Sequence, residues 1–224
     1  MDSIVKQRIF IVDDHPLFRM GLRSLLHTDP RLEVCGEADN AQDALRQLRS
    51  LRVDLAILDV TLSGANGIEL LKQLRAELPG LRAILMSMHD EEIYAERALR
   101  AGAVGYIKKD SPPERVLESI WRALRGGIIL SETITEEMVL RLVQGKSNKQ
   151  DSLLQALSDR ELEIFQLMGQ GATTRDCAER LHISVKTIEA HQASLKTKLG
   201  VSGAHQLRRF AVLWSHQSQP EKDL

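Results

Sequence analysis

The sequence predicts an α/β domain with a five-stranded parallel sheet wound by helices on both faces, followed by an all-α domain of four helices. Three observations predict this. Short apolar runs recur through the first half without alternation, the pattern of strands buried on both faces. Stretches with helical apolar spacing separate them, and strand–helix alternation argues a parallel sheet. The second half carries only helical spacing, with Ser, Thr and Gly at the element ends.

The elements follow in order. Residues 8–12 form the first strand, which ends in Asp13-Asp14. His15-Pro16 opens a helix to about Leu26, because the missing N–H of proline costs nothing in a first helical turn. Residues 32–37 read as the second strand, and Ala41, Ala44, Leu45 and Leu48 are spaced for a helix face. The clearest strand is Leu55-Ala56-Ile57-Leu58, which runs straight into Asp59. A loop with Gly64 and Gly67 leads to a helix over 66–78, stopped by Pro79-Gly80. Residues 82–86 end in Ser87, and Asp90 can cap a helix to Arg100 that Gly102 ends. Residues 103–107 end in Lys108-Lys109. Ser111-Pro112-Pro113 then starts a helix of about 113–125 with Val116, Leu117, Ile120, Trp121 and Leu124 on its apolar face.

Gly126-Gly127 ends that helix, and residues 135–144 read as a short linker helix. Residues 145–152 are polar and without apolar periodicity, as in a flexible tether. Ser158-Asp159-Arg160-Glu161 has the capping-box form, in which side chains at both ends satisfy orphan N–H groups. Its helix ends near Gly169 or Gly171. Thr173 or Thr174 starts a second helix with Cys177, Ala178 and Leu181 inward, and His182-Ile183-Ser184 makes a tight turn. Ser184 caps a third helix to about Leu199, ended by Gly200, and residues 203–213 form a fourth. Two helices joined by so short a turn suggest a helix-turn-helix. The expected division is a first domain over 1–126, a linker over 127–152, a second domain over 153–216 and a tail over 217–224.

Composition excludes several classes. Net charge is −1, so no bulk electrostatic partner is implied. Over 172–210 seven basic residues face three acidic ones, whereas 151–224 holds nine of each. The basic charge is therefore local, as on one face that meets phosphates. No run approaches the roughly 20 apolar residues of a membrane span. Met1-Asp2-Ser3-Ile4-Val5-Lys6 has no apolar signal core, so a cytoplasmic protein is expected. Cys35 and Cys177 offer neither a disulfide framework nor a zinc spacing, and both read as small buried apolar residues. The seven histidines show no metal-ligand pairing on one helical face. Without G-x-x-x-x-G-K-[ST] the chain is not a P-loop NTPase.

In parallel sheets the ligand site lies beyond the carboxyl ends of the strands. Taken singly, Asp59 can be a helix cap or a turn residue. Asp13-Asp14 can be solvated acids near a helix start. Together with Ser87 and Lys108-Lys109 they place three acids, a hydroxyl and an ammonium group on one rim.

Asp13-Asp14, Asp59, Ser87, Tyr106 and Lys109, with this spacing, resemble the receiver domain of two-component response regulators. "IVDDHPLFRMGL", "AILDVTLSGANGIELL" and "GAVGYIKKD" carry the likeness, which covers 8–126. "LSDRELEIFQLMGQGATTRDCAERLHISVKTIEAHQASLKTKLGV" is similar to the LuxR-type DNA-binding domain. The two halves together resemble the NarL/FixJ class, whose receiver sheet is flavodoxin-like.

The resemblance implies a chemistry. A partner histidine kinase phosphorylates Asp59, and the phosphoryl group needs positive charge and in-line positioning. Mg²⁺, held by hard oxygen ligands, supplies charge. Asp14 and Asp59 ligate it directly, Asp13 through water, and Thr61 through its backbone carbonyl. Lys109 pairs with a phosphoryl oxygen as a point charge. It is chosen over Lys108 because it stands three after Tyr106 and directly before Asp110. Ser87 bonds the new phosphoryl group and Tyr106 rotates inward behind it, a two-state element biased by a local charge.

For the second domain the resemblance implies that the third helix enters the major groove. Glu189, Ala190 and Ala193 then meet base edges, and Lys186, Thr187, Lys196 and Lys198 make phosphate or general contacts. His191 is as suited to packing or the DNA backbone as to a base. Glu189 departs from the basic residue common there and can accept from cytosine N4. The implied protein is a phosphorylation-controlled transcription regulator that binds double-stranded promoter DNA. It forms a homodimer when phosphorylated or DNA-bound, through the fourth C-terminal helix. It is not an enzyme beyond phosphorylating and dephosphorylating itself at Asp59. One rival is a DNA-binding regulator whose receiver is never phosphorylated. The other is an aspartate-nucleophile phosphatase, which needs a second Asp where Thr61 stands.

Overall fold

The apolar runs of the first half form one parallel sheet. Its strands are β1 (Gln7–Val12), β2 (Leu32–Ala38), β3 (Leu55–Asp59), β4 (Arg82–Ser87) and β5 (Gly105–Lys108), in the order β2-β1-β3-β4-β5. These strands belong to a computed structural model that describes residues 5–88, 91–144 and 153–217. The chain divides into two compact units, Met1–Val143 and Gln144–Leu224. The expectations for Asp90 as a cap, for 145–152 as a tether and for the tail beyond 217 lie outside the described residues.

The crossovers are helical: α1 (Pro16–His27), α2 (Ala41–Leu48), α3 (Gly67–Glu77), α4 (Glu91–Arg100) and α5 (Pro113–Leu124). Strand side chains alternate between faces. Ile9, Ile11, Ile57, Ile84 and Met86 form one core with Leu22 and Leu26 of α1 and Val116, Ile120 and Ala123 of α5. Phe10, Leu58 and Leu85 are equally buried and point to the opposite face, where α2 and α3 pack. All five residues of β3 are buried, as its central place requires. This strand order puts the sheet's switch point between β1 and β3, beside Asp13 and Asp59.

Two features beyond β3 fix the site. Thr61–Leu62 and Ala65–Asn66 form a small antiparallel ribbon that turns at Gly64, whose φ is 73°. Asn66 then caps α3 by accepting from the Ile68 amide at 2.9 Å. Gly67 starts α3 directly against β3, and a Cβ there would collide with the Asp59 carbonyl oxygen. Only glycine lets the helix begin so close to the acid.

After α5 the chain returns to the sheet. Ile129 pairs with Gly105, its amide donating to the Val104 carbonyl at 2.9 Å and its carbonyl accepting from the Tyr106 amide at 3.1 Å. The Ser131 amide donates to Glu91 Oε1 at 2.7 Å. The next helix, α6 (Glu132–Gln144), starts before the expected 135–144 because Ser131 Oγ accepts from the Ile134 amide and sets its first turn. Ile129 and Ile134 are buried, so this part of the expected linker packs within the first unit.

The second unit is helical: α7 (Asp159–Gly169), α8 (Thr174–Arg180), α9 (Val185–Leu199) and α10 (Ala204–Gln217). Ser158 with Glu161, and Thr173 with Asp176, form complete capping boxes. Its core gathers Leu162, Phe165, Cys177, Leu181, Ile188, Leu195 and Ala211. The Phe165 ring meets Trp214 at 5.5 Å and Phe210 at 5.8 Å. α10 runs past the expected 203–213, since buried Trp214 continues its apolar face. Cys177 is buried as expected, whereas Cys35 is only half-buried, its thiol donating to the Ile9 carbonyl.

α8 closes on His182, whose φ of 51° is the only positive value of a non-glycine among the described residues. The Ile183 amide reaches back to the Ala178 carbonyl at 3.1 Å, the six-to-one bond of a left-handed helix end. Ser184 then accepts from the Thr187 amide at 3.0 Å and starts α9.

Candidate functional site

Asp13 and Asp14 follow β1, Asp59 ends β3, Ser87 ends β4 and Lys109 follows β5. Adjacent parallel strands ending together bring these side chains to one rim. The Lys109 amide donates to the Ser87 carbonyl at 2.9 Å, which carries the pairing one residue past β5. Lys109 Nζ lies 2.6 Å from Asp59 Oδ2 and 2.7 Å from Asp13 Oδ2. Its side chain is 5% exposed, and its ammonium stands 4.6 Å from the Phe18 ring centroid. Lys108 is half-buried and is not part of the ion pairs with Asp13 and Asp59.

The acids are held individually. Asp13 Oδ1 accepts from the His15 amide at 2.8 Å, and its backbone carbonyl accepts from Arg19 Nη1. Arg19 is anchored in turn by Glu37 at 3.3 Å. Asp59 Oδ1 accepts from the Thr61 amide at 3.2 Å. Asp14 Oδ2 accepts from Ser63 Oγ at 2.7 Å, while its Oδ1 is buried without a hydrogen bond. Ligand atoms of Asp13, Asp14, His15 and Asp59 all lie within 4.8 Å of one another.

Burial pushes the Asp59 carboxyl up to about 7. The Lys109 charge opposes the rise and the Asp13 charge adds to it. The pocket holds more negative charge than one ammonium can balance. It is compatible with a divalent metal, whose charge would complete the balance and whose bonds would satisfy Asp14 Oδ1.

Ser87 and Tyr106 are both buried, at 1% and 2% exposure. Tyr106 was expected to turn inward behind a phosphoryl group. Here Tyr106 is buried, with α4 packed against β5 and Ile129 paired at the neighbouring Gly105.

In the second unit α9 buries Ile188, Leu195 and Leu199. Lys186, Thr187, Glu189, Ala190 and Ala193 are exposed, and Lys196 is half-buried. Thr187 shares its hydroxyl with Ser184 at 2.8 Å. Lys198, also expected to contact phosphate, keeps its side chain 35% exposed. Its Nζ lies 2.6 Å from Glu161 Oε2, so that charge is engaged within the unit. Glu161 also accepts from Ser194 Oγ at 2.6 Å and from the Ser158 amide at 2.7 Å, tying α9 to the start of α7. Gln192 adds a tie to Thr174 of α8 at 3.2 Å.

Sequence reasoning passed over His15, Phe18, Arg19, Ser63 and Glu161's second role. His15, Phe18 and Arg19 had a usable signal, since α1 begins at the acid pair and its first two turns must face it. Ser63 had none.

Comparison with known proteins follows the same division. The response regulator receiver domain family matches residues 9–121. The luxR family of bacterial regulatory proteins matches residues 155–211. The nitrate/nitrite response regulator protein NarL of Escherichia coli strain K12 is 32% identical over 211 residues, 94% of this chain and 95% of NarL. The DNA-binding transcriptional activator DevR/DosR of Mycobacterium tuberculosis is 33% identical over 205 residues, 92% of this chain and 94% of that protein. Among solved structures, RcsB of Salmonella enterica serovar Typhimurium bound to promoter rprA superposes with a TM-score of 0.61 at 23% identity, over 92% of this chain and 98% of RcsB. That likeness is one of fold. A LuxR-family two-component response regulator from Aurantimonas gives a TM-score of 0.57 at 35% identity, over 62% of this chain and 99% of that chain.

Proposed function

The chain belongs to the response regulators that join a receiver domain to a luxR-family DNA-binding domain. On that premise we propose that Asp59 accepts a phosphoryl group from a partner histidine kinase and that this controls binding of the second unit to promoter DNA. The division we favour is a receiver over 1–126, a linker over 127–152, the DNA-binding domain over 153–216 and a tail over 217–224.

The observation that carries the reading is Lys109 Nζ at 2.6 and 2.7 Å from two buried acids, beside an Asp14 oxygen without a hydrogen bond. Asp14 and Asp59 would hold Mg²⁺ with the Thr61 carbonyl, and Asp13 would act through water. When bound, Mg²⁺ supplies positive charge against the phosphoryl oxygens. Asp59 attacks phosphorus, the donor's P–N bond breaks, and an acyl phosphate forms while the released histidine takes a proton. Lys109 turns from Asp59 to a phosphoryl oxygen, and Ser87 donates its hydroxyl to another. The chain catalyses only the gain and loss of its own phosphoryl group.

On the second unit, Lys186, Thr187, Lys196 and Lys198 would meet phosphates and Glu189, Ala190 and Ala193 base edges. The protein would bind as a homodimer and act in the cytoplasm. No helix among the described residues is long and apolar enough to cross a membrane.

The test is intact mass after incubation with a small acyl phosphate and Mg²⁺, for wild type and Asp59→Asn. Wild type should gain one phosphoryl group and the variant none. Equal gain by both, or none by wild type, would overturn the reading.

A further inference from the structure

The rim has one member that phosphorylation does not use. His15 follows the acid pair and its side chain is 66% exposed, yet its Nδ1 turns back into the pocket. It lies 2.8 Å from Asp14 Oδ1, 3.5 Å from Asp13 Oδ1 and 3.8 Å from Asp59 Oδ2. The 2.8 Å approach lacks hydrogen-bond geometry, since Asp14 Oδ1 is buried without a hydrogen bond. Adjacent ligands of a six-coordinate ion stand roughly 3 Å apart when metal–ligand bonds are about 2.0–2.2 Å. His15 Nδ1 has that spacing from Asp14 Oδ1. The imidazole makes no side-chain cap to α1.

Donor chemistry then separates the ions. Carboxylate, carbonyl and water suit Mg²⁺, whereas an imidazole nitrogen favours first-row transition metals. We propose that His15 Nδ1 is a fourth, nitrogen donor of this pocket for first-row transition-metal dications, a donor that Mg²⁺ does not use. The proposal rests on the acidic pocket being a metal site. Its consequence is that Mn²⁺ or Ni²⁺ would be held more tightly than the oxygen ligands alone allow.

The test uses the full chain and the metals alone. Calorimetry gives affinities for Mg²⁺ and Ni²⁺ in wild type, His15→Ala and Asp14→Asn. Pulsed electron paramagnetic resonance of bound Mn²⁺ reports a directly bonded nitrogen. His15→Ala should weaken Ni²⁺ about tenfold or more, the scale of losses when a metal site is disturbed, and leave Mg²⁺ unchanged. The unchanged Mg²⁺ affinity also shows that the variant folds. Wild type should show nitrogen coupling to Mn²⁺ that His15→Ala lacks. Equal Ni²⁺ affinity in His15→Ala, or no nitrogen coupling in wild type, overturns the role of His15 alone. If Asp14→Asn weakens neither ion, the metal-site reading itself fails.

Discussion

Each unit sets a lysine ammonium against buried carboxylate, and the two arrangements behave in opposite ways. In the first, Asp13 and Asp59 share Lys109, and burial drives Asp59 up to about 7. In the second, burial likewise acts to raise Glu161. There the hydrogen bonds from Lys198, Ser194 and the Ser158 amide outweigh it and bring the carboxyl down to about 2. Burial does not decide the direction; the number of donors for each negative charge does. One acid with three donors is a clamp between helices. Several acids with one ammonium leave an excess of negative charge that is compatible with a divalent cation.

The largest effect should come from breaking the clamp. Glu161→Ala leaves Lys198, Ser194 and the Ser158 amide without their acceptor, and each buried donor left unsatisfied costs about 1–3 kcal/mol. Urea unfolding in a Trp121→Phe background, which leaves Trp214 as the sole tryptophan, reads the second unit alone when tryptophan is excited selectively. Acid should weaken the same clamp. The folded value of Glu161 lies below its ordinary 4.5, so its contribution is present above 4.5 and is lost as pH falls through about 2. The loss should reach about 3 kcal/mol. Glu161→Gln, which cannot titrate, should lack that part of the acid slope.

The receiver pocket should respond with the opposite sign. The folded value of Asp59 lies above its ordinary 3.8, so its contribution is present below 3.8 and is lost as pH rises through about 7. Without added metal, Asp59→Asn should therefore be more stable than wild type at pH 8, and the gap should close in acid. A destabilised variant at pH 8 would mean that the pocket is balanced after all. The smallest effect concerns the turn before the clamped helix. His182 adopts a left-handed φ of 51°, which costs an L-residue about 1 kcal/mol relative to glycine. His182→Gly should raise the melting temperature of the second unit.

Sequence alone carried the sheet and the rim because both follow from local pattern. Leu55–Asp59 reads as a buried strand from five consecutive residues, and a strand end fixes where its acid must lie. Ser63 was not legible, because its bond to Asp14 spans 49 positions and any hydroxyl in that loop looks alike. The ion pair of Lys198 was hidden for a similar reason. Helical spacing gave its place on α9, but its partner Glu161 stands 37 positions earlier on another helix. Tyr106 was placed correctly along the chain, yet whether its ring lies in or out depends on packing that periodicity does not encode. His15 escaped because a metal pairing was sought along helix faces, and its neighbours come from two strand ends.

The return of the chain at Ile129 bears on how copies of this protein can meet. An outer strand offers bare N–H and C=O groups, a template on which another molecule can add a strand. β5 is such a border. Ile129 occupies the Tyr106 amide and the Val104 carbonyl there, fitting so closely that position 105 has no room for a Cβ. The chain thus seals this margin with its own continuation, and association by strand addition is blocked at that rung.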